Sequence, residues 1–338
     1  MSTRPVNPPV TVIGDGAWGT TLAILLAEKG APVTLWSAFA DQVTAIGKAG
    51  VNEKFLPGIK IPASIQITAD LKEAIRAGEL IVLAVPSQYL QSVLRSMSRH
   101  DLKGKSFVSV VKGIDIKTLF TMSRLIEQEL GKVRLAVLSG PTIAIEVARH
   151  IPTTAVAASR NKAFAQRVQA IFSCSYFRVY TNDDVLGVEL CGSIKNVIAL
   201  ACGVCDGLGF GTNTKAAILT RGLVEMARFG RALGAKPDTF MGLAGLGDLA
   251  TTSFSPNSRN RTVGEALGKG RTLAEILGGM DAVAEGVGTA KALHKAAKKI
   301  GVDMPITDAV YKIIQGRQAP GKTVAALMSR SLKSEGRR

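Results

Sequence analysis

The chain has 338 residues, of which 46% are hydrophobic and 20% are charged. This composition permits a large core, is typical of about two domains, and excludes a globally disordered chain. The 42 lysine and arginine residues exceed the 26 aspartate and glutamate residues, so the net charge of +16 favours anionic partners. Because no basic stripe interleaved with aromatic residues occurs, we expect phosphorylated small molecules rather than nucleic acid.

The sequence gives no indication of a membrane or secreted protein. No apolar run reaches the roughly 18–20 residues of a membrane span, and the polar residues 1–9 do not resemble a secretion signal. Four cysteines are too few for a disulfide scaffold, so we expect a cytoplasmic protein. Cys202 and Cys205 form a lone C-x-x-C pair in an apolar helix, where neither metal nor redox function is expected.

Short apolar runs alternate with helical patterns in the first half of the chain. Strands are predicted at 10–13, 33–36, 80–85, 107–111, 135–138, 154–158 and 177–180, and helices at 20–28, 70–77, 117–130 and 162–172. This alternation predicts an α/β fold with a doubly wound, mostly parallel, Rossmann-type sheet.

Beyond Asp184 only helical patterns occur. Helices are predicted at 185–201, 215–233, 259–267, 273–277, 289–299 and 306–314. We therefore predict a dinucleotide-binding domain at 1–188 and an all-α substrate domain at 189–338, joined through the helix that starts near Val185.

The segment between the first strand and the first helix fits G-x-G-x-x-G, with Gly14, Gly16 and Gly19. The first glycine permits the tight turn, the second lets the backbone approach a pyrophosphate, and the third lets helix pack on strand. The free N–H groups of the following helix would bind the phosphates. This setting favours NAD or NADP binding over an ordinary glycine-rich turn.

The residues that distinguish NAD from NADP are not decisive. Ser37 follows the second strand, where an acid would bind a ribose diol, and neither an acid nor a base stands there. Asp41 is the nearest acid. Asp15 lies inside the glycine turn, and because its carboxylate would repel a pyrophosphate, we expect it to face away. The preference between the two cofactors stays open.

Residues 185–200 form an almost wholly apolar segment that Lys195 and Asn196 interrupt. A helix that is apolar on every side is buried, and a buried ammonium without a partner is costly. Lys195 therefore has either an ion-pair partner or a lowered pKa suited to proton transfer. None of the three histidines (His100, His150 and His294) has a recognisable catalytic setting, which favours lysine as the proton donor.

The predicted helix at 259–267 starts with an unusual charge pattern. Ser258 is a suitable N-cap, but Arg259 and Arg261 place positive charge at the positive end of the helix dipole. A bound phosphate would explain both arginines, with Asn260 as a further ligand. Solvated surface arginines are the alternative.

These motifs, in this order, resemble the bacterial-type glycerol-3-phosphate dehydrogenase family. The resemblance spans about 10–314, and its specific stretches are 14–20, 85–87, 111–113, 139–142, 195–197, 245–249 and 258–261. The family interconverts dihydroxyacetone phosphate and sn-glycerol 3-phosphate with NAD(P)H, which supplies glycerol 3-phosphate for glycerophospholipid synthesis.

The resemblance also implies residue roles. Lys195 is implied to be the catalytic lysine that exchanges a proton with the substrate oxygen. Lys112 is implied to polarise the carbonyl and to lower the pKa of Lys195 by like-charge repulsion, while Asp248 orients lysine and substrate. Substrate binding is expected from Lys112, Gly140, Thr142, Lys195, Asn196, Asp248, Ser258, Arg259 and Asn260. Cofactor binding is expected from Gly14, Gly16, Ala17, Trp18, Gly19, Lys112, Ala144, Arg259, Val283 and Glu285. No metal ion is expected, and a homodimer is a family-level expectation.

Three positions depart from the family pattern. Ala17 and Thr142 stand where serine is common, and Thr142 keeps the hydroxyl group. Ser37 and Ala38 lack the basic residue that is frequent after the second strand, so the cofactor preference is not carried over.

Two other functions fit the same motifs less fully. A dehydrogenase with this domain plan could act on a hydroxy acid, such as a ketopantoate-like substrate, but would not need the phosphate-binding residues 258–260. A cofactor-sensing protein without turnover would not need Lys112, Lys195 and Asp248.

Overall fold

A computed structural model describes residues 7–115, 118, 120–280, 284–332 and 334–335. The strands within these residues are β1 (Val10–Ile13), β2 (Val33–Trp36), β3 (Val51–Asn52), β4 (Leu56–Lys60), β5 (Gln66–Thr68), β6 (Leu80–Leu83), β7 (Ser106–Ser109), β8 (Arg134–Ser139), β9 (Thr153–Ala158) and β10 (Phe177–Asn182). The helices up to the end of the sheet are α1 (Ala17–Glu28), α2 (Ala40–Ala49), α3 (Leu71–Ala77), α4 (Ser87–Met97), α5 (Met122–Leu130), α6 (Ala144–Ala148) and α7 (Lys162–Phe172).

The described residues that follow β10 are helical. They form α8 (Val185–Gly207), α9 (Thr212–Ala232), α10 (Pro237–Met241), a π-helical turn (Leu243–Gly247), α11 (Asp248–Phe254), α12 (Arg259–Gly268), α13 (Leu273–Gly278), α14 (Glu285–Ile300), α15 (Pro305–Ile314) and α16 (Pro320–Met328).

Eight strands form one sheet in the order β10-β9-β8-β7-β6-β1-β2-β5. All neighbours are parallel except β8 and β9, and a separate antiparallel hairpin joins β3 and β4. The chain runs outward from β1 in both directions, to β2 and to β6, as in doubly wound folds. The carboxyl ends of β1, β2, β6, β7 and β8 therefore meet at one edge, where such folds bind ligands.

The helical half is built around α8, whose side chains are buried from Gly187 to Cys205. Asp184 caps α8 through the Gly187 N–H group at 2.9 Å, and also accepts hydrogen bonds from Lys236 N and Thr239 Oγ1, which fixes α10 against the start of α8. Apolar residues of α8, α9, α14 and α15 form its core, including Ile194, Met226, Leu293 and Val310.

Helix α8 also has the length of a membrane span. It is the one helix among the described residues that passes that test, with 23 residues and a mean hydropathy of 1.6, and 89% of its most apolar window is buried inside the protein. The prediction that no apolar run would reach this length was wrong, because Glu189 and Lys195 interrupt the run without ending it. Helix α8 is a core helix.

Helices α8 and α12 are in close backbone contact, which glycines permit. A Cβ atom at Gly203 would lie 2.8 Å from Glu265 N, and one at Gly264 would lie 3.0 Å from the Cα atom of Gly203. Gly207 and Gly268 repeat the arrangement one turn further along. This packing holds the start of α12 near the middle of α8.

The predicted fold class is confirmed, and the predicted strands and helices are present with shifted ends. The helix predicted at 117–130 begins at Met122, and residues 116, 117 and 119 lie outside the described part of the chain. The sequence analysis predicted no helix at α2, α4, α6, α10, α11 or α16, and α2 and α16 each bury only one residue. The domain division at 188/189 falls inside α8 and stays a prediction.

Candidate active site

Two lysines share one buried aspartate at the carboxyl edge of the sheet. Lys112 Nζ donates to Asp248 Oδ2 at 2.7 Å and to the Gly140 carbonyl at 3.0 Å. Lys195 Nζ binds the other carboxylate oxygen, Oδ1. The aspartate side chain is 2% exposed, whereas the Lys112 side chain keeps 17% of its surface accessible. The structure thus brings together three residues that lie up to 136 positions apart.

Elements from both halves of the chain position this cluster. Lys112 follows β7, Gly140 follows β8, Lys195 lies in the middle of α8, and Asp248 begins α11. Gly192, one turn before Lys195, leaves room for the side chain of Lys112: a Cβ atom at residue 192 would lie 3.4 Å from Lys112 Cγ. The glycine therefore lets the Lys112 side chain pass directly over α8.

A π-helical turn precedes Asp248. Such turns are rare and often occur at functional sites. Gly245 within the turn lies so close to Phe240 that a Cβ atom would be 2.6 Å from the Phe240 Cα atom. The turn ends directly before Asp248, whose carboxylate binds both lysines.

Burial lowers the pKa of Lys195 to about 8. Asp248 opposes this shift by stabilising the ammonium form, and Lys112 adds to it by like-charge repulsion. The two interpretations of Lys195 from sequence are therefore not exclusive, because the lysine has both an ion-pair partner and a lowered pKa. The repulsion from Lys112 has the expected direction, but burial is the larger cause.

Thr252 belongs to the cluster and was missed from the sequence. Its hydroxyl accepts a hydrogen bond from Lys195 Nζ at 2.7 Å and lies 3.3 Å from Asp248 Oδ1. The available signal was spacing, since residue 252 follows residue 248 by one helical turn and shares its face.

The start of α12 has one free arginine. Ser258 Oγ accepts from Arg261 N at 3.3 Å, as expected of an N-cap. The Arg261 guanidinium binds Asp206 at 2.7 Å, so it is not available to an anion. Arg259 is exposed and has no hydrogen bond or ion pair with the described residues. The interpretation that both arginines serve one anion was wrong for Arg261, because an acid on α8 already neutralises it.

Asn196 and Asn260 connect α8 to α12 and α14. Asn260 Nδ2 donates to Asn196 Oδ1 at 3.0 Å, and Asn260 Oδ1 accepts from Gly286 N at 2.9 Å. Both asparagines are thereby fixed one residue from Lys195 and Arg259. Thr142 lies in the turn after β8, where its hydroxyl donates to the Gly140 carbonyl at 3.2 Å.

The glycine turn has the geometry that a dinucleotide requires. Gly14 has a φ of +118°, and a Cβ atom there would lie 2.8 Å from the Ala84 carbonyl after β6. A Cβ atom at Gly19 would overlap the Gly14 carbonyl, so this glycine allows α1 to pack on the turn. Gly16 faces open space, with no heavy atom within 4 Å of its Cβ position. The turn therefore fits NAD(P) at its open side.

The other proposed cofactor residues lie in several elements. Ala17 begins α1, and the Trp18 ring lies 6.2 Å from that of Phe177. Ala144 begins α6, and its carbonyl accepts from Thr21 of α1 at 3.2 Å. Val283 lies outside the described residues.

Glu285 begins α14 and links it to the sheet. The backbone of Ser87, which follows β6, lies close enough to the Glu285 carboxyl group to lower its pKa. Burial raises its pKa, whereas Arg259, Lys112 and Lys195 act in the opposite direction, so all three cations lie near it. Glu285 therefore lies between the turn after β6 and the start of α12.

The cysteine pair lies apart from this chemistry. Cys202 and Cys205 are buried free thiols, and burial raises the pKa of each to about 11. Both are protonated at neutral pH, which makes them poor nucleophiles.

Comparison with known proteins decides the family. The models of the N-terminal and C-terminal domains of NAD-dependent glycerol-3-phosphate dehydrogenase match residues 9–165 and 184–325. The chain belongs to this family. Glycerol-3-phosphate dehydrogenase (NAD(P)+) of Citrifermentans bemidjiense is 49% identical over 330 residues, which cover 97% of this chain and 98% of the relative. The resemblance seen in the sequence motifs is confirmed.

Solved structures agree with this family assignment. Glycerol-3-phosphate dehydrogenase of Coxiella burnetii superposes with a TM-score of 0.93 at 38% identity, covering 96% of this chain and all of that one. A ketopantoate reductase of Ralstonia eutropha covers 94% of this chain and 99% of its own, but its TM-score is 0.61 at 16% identity. The ketopantoate reductase therefore shares only its fold with this chain.

Proposed function

We propose that the chain interconverts dihydroxyacetone phosphate and sn-glycerol 3-phosphate, with NAD(P)H as hydride donor and NAD(P)+ as acceptor. The observation that carries this proposal is the Lys112–Asp248–Lys195 cluster at the sheet edge that also holds the glycine turn. Family membership supports the choice of substrate.

Lys195 is proposed to move the proton. The bound cofactor supplies or accepts the hydride, so the substrate oxygen must gain a proton during reduction and lose it during oxidation. With a pKa of about 8, Lys195 can act as acid or base near neutral pH. Asp248 and Thr252 hold its Nζ atom, which fixes the direction of transfer.

Lys112 is proposed to polarise the substrate carbonyl. Its side chain is more exposed than that of Lys195, and its ammonium is held by Asp248 and Gly140, so it can contact a substrate without moving far. A fixed positive charge beside the carbonyl oxygen stabilises the negative charge that develops there.

Arg259 is proposed to bind the substrate phosphate. Its guanidinium has no hydrogen bond or ion pair with the described residues and lies at a helix N-terminus, where backbone N–H groups and the dipole favour anions. A bidentate contact to a phosphate suits this geometry, with Asn260 beside it. This phosphate site separates the proposed substrate from a hydroxy acid.

The proposal is tested with Lys195→Ala. We expect the purified chain to oxidise NADH or NADPH when dihydroxyacetone phosphate is added, and the variant to lose at least about 100-fold in kcat, since general acid–base catalysis contributes on the order of 10²–10⁴. Cofactor binding should be unchanged. Lys236→Ala, which removes an exposed lysine paired with Asp183, is the matched control. A fully active Lys195→Ala enzyme contradicts the mechanism.

Three finer expectations are part of the proposal. The product would supply glycerophospholipid synthesis, the enzyme would act in the cytoplasm, and it would form a homodimer. Family membership supports the first, and sedimentation of the purified chain tests the last.

A further inference from the structure

The glycine turn carries a buried carboxyl group, that of Asp15. Asp15 is 7% exposed, and its Oδ2 atom has no hydrogen-bond partner among the described residues. Burial raises the pKa of this carboxyl, because the protein replaces the water that would solvate its charge. An unpaired buried acceptor is unfavourable for the fold and is therefore expected to have another purpose.

Asp15 faces the carboxyl end of β2. The Ser37 side chain lies close enough to the carboxyl group of Asp15 to lower its pKa, and the Gly14 N–H group donates to the Trp36 carbonyl at 3.0 Å. The backbone carbonyl of Asp15 accepts from Asn52 Nδ2 at 2.6 Å, which ties the turn to β3. The carboxyl is thus fixed beside the position from which an acid binds the adenosine ribose in folds of this kind.

The charges around Asp15 leave this corner negative. Lys54 attracts the Asp15 carboxylate and Asp41 repels it. Ser37 and Ala38 add no charge. Asp15, Asp41 and Lys54 together carry a net charge of −1. The loop that follows β2 begins with uncharged residues, so it provides no second cation that could bind a phosphate.

We propose that Asp15 makes this site selective for NAD(H) over NADP(H). From the glycine turn its negative charge repels a 2′-phosphate, which NADP(H) carries and NAD(H) lacks. Repulsion acts through the charge itself and needs no direct contact. The inference rests on the proposed function and names the cofactor of that site.

Binding of each cofactor to the chain without substrate measures the selectivity. The two tryptophans of the chain are Trp18, in the turn, and Trp36, at the end of β2, so quenching of their fluorescence reports cofactor binding directly. We expect the Kd for NADPH to exceed that for NADH at least about 10-fold, or ~1.4 kcal/mol. Adenosine 5′-monophosphate and adenosine 2′,5′-bisphosphate repeat the comparison without a nicotinamide.

Asp15→Asn removes the charge and keeps the size of the side chain. We expect the ratio of the two Kd values to fall about 10-fold, to near unity. Asp101→Asn removes an exposed carboxylate ahead of β7, at the opposite edge of the sheet, and should leave the ratio unchanged. Melting curves of both variants establish whether they are folded. If Asp15→Asn does not fold, the ratio of the NADPH and NADH Kd values of the unaltered chain tests the inference.

Two results overturn the inference. The first is NADPH binding that equals or exceeds NADH binding in the unaltered chain. The second is a ratio that persists in folded Asp15→Asn. Binding of neither cofactor would instead contradict the proposed function, so the two failures are distinguishable.

Discussion

At the scale of single residues, Lys195 combines an ion pair with a lowered pKa. Burial disfavours its ammonium form more than Asp248 favours it, which brings the pKa down to about 8. The same aspartate holds Lys112, so one carboxylate balances two ammonium groups. The cluster keeps a net positive charge, which suits a substrate that is anionic and develops further negative charge on its carbonyl oxygen.

The pKa of Lys195 predicts opposite pH profiles for the two directions. Reduction requires the ammonium, so its kcat/KM should fall as pH rises through about 8, whereas oxidation requires the free amine and should rise over the same range. Steady-state rates from pH 6 to 10 measure both. Because Lys112 lowers this pKa, the residual activity of Lys112→Gln should show its transition at higher pH, and an unmoved transition would refute the assigned coupling.

At the scale of helices, the glycine contacts between α8 and α12 position the phosphate side of the site. A Cβ atom at Gly264 would overlap the Leu200 carbonyl of α8, so α12 would have to move away from α8. Arg259 and Asn260 lie at the start of that helix and would move with it.

Gly264→Ala is therefore expected to destabilise the fold by about 1–3 kcal/mol, as overpacking typically does. Gly47→Ala is the matched control: Gly47 lies inside α2 with open space at its Cβ position, and this change should stabilise the fold by about 0.5–1 kcal/mol. Urea unfolding of both variants measures the difference. Equal changes in the free energy of unfolding of the two variants would show that the close contact between α8 and α12 does not contribute to stability.

At the scale of the whole molecule, the site exists only because two differently built halves meet. Lys112 and Gly140 come from turns at the sheet edge, and Lys195 and Asp248 come from helices beyond it. A second buried contact joins the halves: Glu189 of α8 accepts hydrogen bonds from Ser123 N at 2.6 Å and Ser123 Oγ at 2.5 Å, at the start of α5. Residues 189 and 195 thus lie on one helix that contacts both the sheet half and the catalytic cluster.

The sequence predicted what local patterns encode. The glycine turn, the buried setting of Lys195 and the cap at Ser258 each depend on neighbours within a few residues, and all three occur in the structure. The π-helical turn before Asp248 and the neutralisation of Arg261 by Asp206 depend on contacts between distant segments. Periodicity carries no information on such contacts, which is why the role of Arg261 was misjudged.

Substrate choice distinguishes a phosphorylated triose from a hydroxy acid as the substrate of this protein. The purified protein is assayed with NADH and, in parallel, with NADPH. Each assay contains dihydroxyacetone phosphate, unphosphorylated dihydroxyacetone or ketopantoate, and the loss of nicotinamide absorbance measures the rate of cofactor oxidation. We expect rapid oxidation with dihydroxyacetone phosphate alone, with kcat/KM at least about 100-fold lower for dihydroxyacetone, because each hydrogen bond to a charged group contributes about 1.5–3 kcal/mol and the phosphate makes more than one. Turnover of ketopantoate with indifference to the phosphate group would contradict the assignment.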